Sequence, residues 1–238
     1  MRTKNMLYLR ECNINDAIRV RIPTVGEVLE CEDEYYGIVA MLTAMPIDMM
    51  VQLSDIGIDF TTIDEYDLFL LLVGTLKEQD TSLIFTDLDL KRFQTAVNEQ
   101  NGNIILVDED SGTVIDRAIH AQIADTLRRI HHLKKDNHKP ANSEAKEYMI
   151  ERARKKISRQ RNQESASQLE KLIVALVNTE QYHYGFEGTR ELSIYQFNES
   201  VRQIIKKIDY DNKMRGIYAG TISAKDLSQD DWNWLTHK

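Results

Sequence analysis

Cysteine, proline and long apolar runs are scarce in this chain, and each scarcity excludes something. Two cysteines in 238 residues, Cys12 and Cys31, have no second pair to complete a zinc site, so neither a disulfide framework nor a structural metal is expected. A reducing compartment fits them best. Three prolines (Pro23, Pro46, Pro140) and ten glycines leave room for long helices and argue against a sandwich with a turn every ten residues. The most apolar run, Leu68 to Val73, falls far short of the ~20 residues that cross a bilayer, and Met1-Arg2-Thr3-Lys4-Asn5 leads into no apolar secretory stretch. The protein is expected to stay where it is made. Gly-rich nucleotide loops and a Gly-x-Ser-x-Gly elbow are absent as well, so neither nucleotide binding nor serine hydrolysis has a motif to stand on.

Charge, by contrast, is plentiful and unevenly spread. Twelve Lys/Arg and four Asp/Glu lie between Arg128 and Arg161, a balance of +8 in a chain whose net charge is −8. Through Leu127 the balance is −14, nine basic residues against twenty-three acidic ones. Such a partition suits contact with an oppositely charged partner or with another copy of the chain.

Periodicity organises the rest. Ile18, Val20 and Ile22 alternate with Arg19 and Arg21, which predicts a strand, with Met6 to Leu9 as its expected partner. Thr24-Val-Gly-Glu27 reads as a capping box opening a short helix. Tyr35 to Leu42 and Pro46 to Leu53 predict two more helices; acids at Asp64, Glu65 and Asp67 followed by Lys77 predict a buried helix through Leu68 to Val73. Phe93, Thr95 and Val97, then Asn101-Gly102, then Ile104 to Val107 predict a hairpin, with a third strand after Asp110-Ser111-Gly112. Ile115, Ile119, Ile123, Leu127 and Ile130 draw one apolar stripe down a helix.

Pro140 with Ala, Asn and Ser marks a linker, giving an N-terminal α+β domain over 1–139 with its β element near 84–115, a linker and basic helix over 140–163, and a helical C-terminal region over 164–238. The expected fold class is mainly α with a small β element, α+β. Ser143 to about Gln163 is a polar helix that can bury only Tyr148, Met149, Ala153 and Ile157, so it is expected to project or to lie on a surface. Ser165-Ala-Ser-Gln168 and Ser193-Ile-Tyr-Gln196 predict caps for two further helices, expected to pack on each other.

The candidate interaction residues are Arg152, Arg154, Lys155, Lys156, Arg159 and Arg161, six cations in ten residues, and the terminal pair Trp232 and Trp234. Arg152, Lys155, Lys156 and Arg159 share a helical face that could meet an acidic protein or track phosphates. The acidic N-terminal portion would repel a polyanion, and only Tyr148 on that helix could stack on a base, which disfavours nucleic acid. The bland reading of the face is a solvated helix with cations toward its C-terminus; for the tryptophans it is a closing segment packed on the core. Asp87 with Asp89, Asp108-Glu-Asp110, and His131, His132 and His138 are the residues a metal-dependent hydrolase could use, though adjacent histidines on a helix point about 100° apart and rarely share an ion.

Several phrases carry a family resemblance: Ile22-Pro-Thr-Val-Gly-Glu27, Glu34-Tyr-Tyr36, Asp64-Glu-Tyr-Asp-Leu-Phe-Leu70, Gln196-Phe197, and Gly216-Ile-Tyr-Ala-Gly220 followed by Asp231-Trp232. Together the chain resembles small proteins of the tail-morphogenesis region of phages and prophages of Gram-positive hosts. The resemblance implies a non-enzymatic tail assembly chaperone or a small tail or baseplate component. It would have no cofactor and no catalytic residues, would act in the host cytoplasm or in the virion tail, and would partner tape-measure, tube or baseplate proteins or itself.

Overall fold

The computed structural model describes residues 5–99, 101–160, 167–232 and 234–235. Its architecture is mainly α with small antiparallel sheets, as the residue patterns predict.

Strand β1 (Glu11–Asn13) pairs antiparallel with β2 (Arg19–Arg21). The alternating apolar residues do form a strand, but its partner is Glu11–Asn13 rather than Met6 to Leu9. Asn15 explains the shift: its side chain accepts from the Ala17 and Ile18 amides, and this local turn fixes the register that brings Cys12 opposite Val20. Helix α1 (Val25–Glu30) begins at the Thr24–Glu27 capping box, with both reciprocal bonds present. Helices α2 (Glu32–Thr43) and α3 (Met50–Asp55) follow; Pro46 stands in the turn between them, ahead of the helix it was expected to open. Helix α4 (Glu65–Glu78) is capped by Asp64, which accepts from the Tyr66 and Asp67 amides while Asp67 reaches back, so the acids expected there form a second capping box. It buries Tyr66, Leu68, Phe69, Val73 and Leu76.

A 3-10 turn at Leu90–Arg92 leads into β3 (Gln94–Val97), β4 (Ile104–Asp108) and β5 (Thr113–Ile115), a meander in the order β3-β4-β5. The hairpin and third strand stand where they are predicted. Gly102 (φ +71°) and Gly112 (φ +69°) take the left-handed backbone that closes each turn. Helix α5 (Arg117–His131), capped by Asp116, sinks Ile123, Leu127 and Ile130 into the core, each worth about 1.5–3 kcal/mol relative to exposure.

After an irregular stretch over 133–142, the chain forms α6 (Ser143–Gln160), α7 (Gln168–Val177), α8 (Phe186–Glu191) and α9 (Ile194–Tyr218). The cap of α7 is Ser167, which accepts from the Glu170 amide; Ser165 lies outside the described residues. The cap of α9 is the predicted Ser193–Gln196 box. Helix α7 packs chiefly on α8, and α9 on α5, where α7 and α9 were expected to pack on each other. Three bonds tie α7 to α2, because the Glu32 carboxylate accepts from Ser167 Oγ and from the amides of Gln168 (3.1 Å) and Leu169 (3.0 Å), an anion at a helix N-terminus.

Apolar side chains on both sides of residue 140 share one core. Leu169, Ile173, Leu176, Ile194 and Phe197 join Val20, Val25, Tyr35, Phe69 and Leu127 in it. Two caps stitch the junction: the Val25 amide donates to Leu192 O and the Ile194 amide to Pro23 O, both at 2.8 Å, so the capping boxes of α1 and α9 lie side by side as an antiparallel bridge. A second, smaller cluster holds Ala44, Met45, Ile47, Leu53, Phe60 and Leu68.

Candidate interaction surface

Helix α6 is about 27 Å long at 1.5 Å per residue and belongs to the smaller cluster, against which Met149 and Ile150 pack. It lies on α3 and does not project. Lys146, Met149, Ile150, Ala153 and Ile157 are partly covered, the i, i+3, i+4, i+7 spacing of one narrow seam. Tyr148, expected in that seam, is 65% exposed, because position 150 rather than 148 continues the stripe begun at 146.

Two ion pairs flank the seam. Lys146 Nζ is 2.8 Å from Asp59 Oδ2, and Arg154 Nη2 is 2.5 Å from Asp55 Oδ1. The Lys146 ammonium, seconded by the amide and hydroxyl of Thr61, holds the Asp59 carboxyl down to about 2. The acids of the N-terminal portion thus meet the basic helix inside one molecule, which absorbs part of the opposition seen in the sequence.

Of the remaining cations, Lys155 pairs with Glu151 one turn back at 2.6 Å. Arg152, Lys156 and Arg159 are exposed and make no ion pair among the described residues. They stand roughly 120° around the helix from the seam, a cationic ridge on a helix held from behind. Arg161 lies outside the described residues.

The two tryptophans sit elsewhere. Trp232 ends the 3-10 turn Gln229–Trp232 and is 48% exposed, while the Trp234 ring lies 5.8 Å from Lys207 Nζ of α9. Lys213 reaches Asp231 at 2.6 Å, and that ammonium, with the Ser228 hydroxyl and amide, lowers the Asp231 carboxyl to about 2. The closing segment therefore packs back along α9, leaving Trp232 half in solvent.

The residues considered for metal chemistry are not brought together. Asp87 pairs with Arg19, Asp89 caps the turn at Leu90, and Asp108 accepts from Ser111 while facing Arg92. His131 Nε2 meets Tyr35 Oη at 2.9 Å, His132 faces Glu199, and His138 stands out on the irregular stretch. Among the described residues no group of three or more His, Cys, Asp or Glu is placed to hold a metal ion, and no helix is long and apolar enough to cross a membrane.

Two buried polar residues of α5 escaped sequence reasoning. Arg128 is 6% exposed, donates to Thr43 O at 2.6 Å, and pairs with Glu65 at 2.5 Å. His120 is 2% exposed and stacks on Phe69 with ring centroids 4.2 Å apart. The signals were faint: one arginine and one histidine beside an apolar stripe look like any other polar residues on a half-buried helix.

In fold, the chain is a mainly α, α+β protein carrying an exposed cationic ridge. A family model described as YomV second domain, from a phage- and prophage-type family, matches residues 160–237, the part that holds α7, α8, α9 and the closing turns. No curated protein matches the chain, and no solved structure matches it. The similarity associates the C-terminal part with phage proteins.

Proposed function

We propose that this is a phage tail morphogenesis protein that works by contact, as a tail assembly chaperone or as a tail or baseplate subunit, and that the α6 ridge meets an acidic surface on a tape-measure, tube or baseplate protein. It performs no bond chemistry and needs no cofactor. The host cytoplasm is its place of work, with the virion tail as its destination if it stays in the particle.

The ridge is the observation that carries the reading. Arg152, Lys156 and Arg159 are left in solvent by a helix whose inner face is committed to Asp55, Asp59 and the smaller core. A fixed helix loses little freedom on docking, and rim cations mainly set orientation and association rate. The phage-type similarity of residues 160–237 supports the setting but reaches neither the ridge nor the tail.

Co-expression with the products of neighbouring genes, followed by co-purification at low and high salt, tests it. A partner should be retained at low salt, released at high salt, and lost from Arg152→Gln/Lys156→Gln/Arg159→Gln. A strict monomer that retains no neighbour at low salt overturns the proposal. Salt-sensitive capture of a short oligonucleotide by the wild-type chain alone would replace it with the nucleic-acid regulator that residues 146 to 161 also suit.

A further inference from the structure

The meander β3-β4-β5 carries apolar side chains where a sheet of this kind meets water. Its inner face seats the paired residues Leu106 and Ile115 in the core, both at 1% exposure or less. An antiparallel sheet with one face in solvent ordinarily turns polar side chains outward. Here Ile105 and Val107 alternate with Leu106, so with their partners Ala96 and Val114 they occupy the outer face. Val97 (64% exposed) and Ile104 (47% exposed) meet as a direct pair at the open end of the hairpin.

The outward groups of β3, the free edge of this sheet, follow from its register. The Asn98 amide donates to Asn103 O at 2.8 Å, and opposed pairs in an antiparallel ladder alternate between exchanging both bonds and exchanging none. Gln94 and Ala96 therefore turn N–H and C=O toward β4, as Asn98 does, while Thr95 and Val97 turn theirs away. Among the described residues the outward groups of Thr95 and Val97 meet no hydrogen-bond partner. The preceding outward carbonyl, that of Phe93, is taken by Lys77 Nζ of α4, which bounds the open edge to Thr95 and Val97. Edge strands are commonly guarded by a charge, a proline or a bulge, and Gln94-Thr-Ala-Val97 has none of these.

A second copy of β3 fits that edge. Antiparallel pairing about a two-fold axis at Ala96 sets Thr95 of each copy against Val97 of the other, and every outward N–H and C=O on both strands is then used. Alanine falls on the axis, in the non-bonded position where two strands come closest. Apolar rows continue across the junction, Ile105 and Ala96 running into their twins on the outer face. The charges agree as well. Lys91 before the strand and Glu99 after it are exposed and make no ion pair among the described residues, and antiparallel pairing brings the Lys91 end of one copy to the Glu99 end of the other.

We infer that β3 is the contact strand of a two-fold dimer of this chain, which joins two meanders edge to edge into one continuous antiparallel sheet. The surface stands apart from the α6 ridge and does not depend on the function proposed for it.

Sedimentation velocity of the full chain over a concentration series, at low and high salt, tests the inference. The wild-type chain should form a reversible dimer, half paired at about 100 µM, as a small interface gives. Salt should weaken it little, because its charges lie only at its ends. Ala96→Lys and Ala96→Glu each set like charges against one another on the axis and should be monomeric, whereas an equimolar mixture of the two should pair. Val97→Pro removes an outward N–H, spares the bonds to β4, and should also be monomeric. Arg152→Gln/Lys156→Gln/Arg159→Gln should dimerise as the parent does. Amide exchange of the wild-type chain reads the same edge without any variant: Thr95 and Val97 should exchange about twofold more slowly at about 200 µM than at about 5 µM, with Ala96 unchanged. A wild-type chain that stays monomeric at about 200 µM overturns the inference. So does a dimer that survives Ala96→Lys, or one that leaves Thr95 and Val97 exchanging as in the monomer. Protection of those two amides only after a neighbouring gene's product is added would replace the second copy with another protein's strand.

Discussion

Removing the Arg128 guanidinium tests whether this buried cation holds α5 to the end of α2 and the start of α4. Arg128→Met keeps most of the aliphatic volume but strands two groups: the Thr43 carbonyl, which loses a 2.6 Å donor, and Glu65, whose side chain is 11% exposed. Breaking a buried pair from one side costs about 3–5 kcal/mol. Lys135 remains on Glu65 and offsets part of this, so the lower end, about 3 kcal/mol, is expected. For a chain of this size, at about 2–4 °C per kcal/mol, that is a fall of about 6–12 °C in Tm. Urea unfolding followed by far-ultraviolet circular dichroism and by fluorescence gives the free energy, and coincidence of the two curves tests the two-state treatment. Adding Glu65→Met should recover part of the loss, since the stranded carboxylate is then gone. Burial alone would raise the Glu65 carboxyl, but its bonds from Lys135 and Arg128 hold it below its ordinary value. Its contribution is therefore complete above the unfolded carboxylate pKa of about 4.3 and disappears as pH falls through the lower folded value, a slope that Arg128→Met should flatten. A cost below about 1 kcal/mol, or no recovery in the double variant, would refute the reasoning.

Other perturbations read other parts of the molecule. Burial pushes His120 down to about 4, and burial with His132 as neighbour does the same to His131, so both bind protons more readily when unfolded. Stability should therefore fall as pH drops from about 6.5 toward 4, by roughly a few kcal/mol for the two rings together; unfolding free energies that stay flat across that window would contradict it. Gly216→Ala would place a Cβ 2.5 Å from Ile222 Cδ1 and should lift the closing segment off α9. Because Trp232 and Trp234 are the two tryptophans, a red-shifted emission with an unchanged urea midpoint is the expected signature, and an unchanged spectrum counts against it. Thr24→Ala removes the hydroxyl that caps α1 and should cost about 1 kcal/mol in urea unfolding. Its effect should reach further than one short helix, raising amide exchange at Ile194, whose bond to Pro23 O crosses the same junction.

Features legible in the order of residues were local ones. The Thr24 and Ser193 capping boxes, the β3-β4-β5 meander with Gly102 and Gly112, and the stripe of α5 depend on residues within one or two turns of each other, where spacing alone sets which side chains meet. The exposed candidates on α6 were legible for the same reason, since a helix wheel places Arg152, Lys156 and Arg159 on one face whatever surrounds them. Whatever joins distant segments was settled by packing. Packing laid α6 on α3 through Asp55 and Asp59, separated His131 from His132 and His138, and buried Arg128 against Glu65, sixty-three positions away. It also folded the stretch after α5 back until Lys135 reached Glu65 at the start of α4. Composition fixes how much charge and how many hydrogen-bonding groups a chain holds; only the packed backbone fixes which of them come within a few ångströms of a partner, and so which are left over for something else.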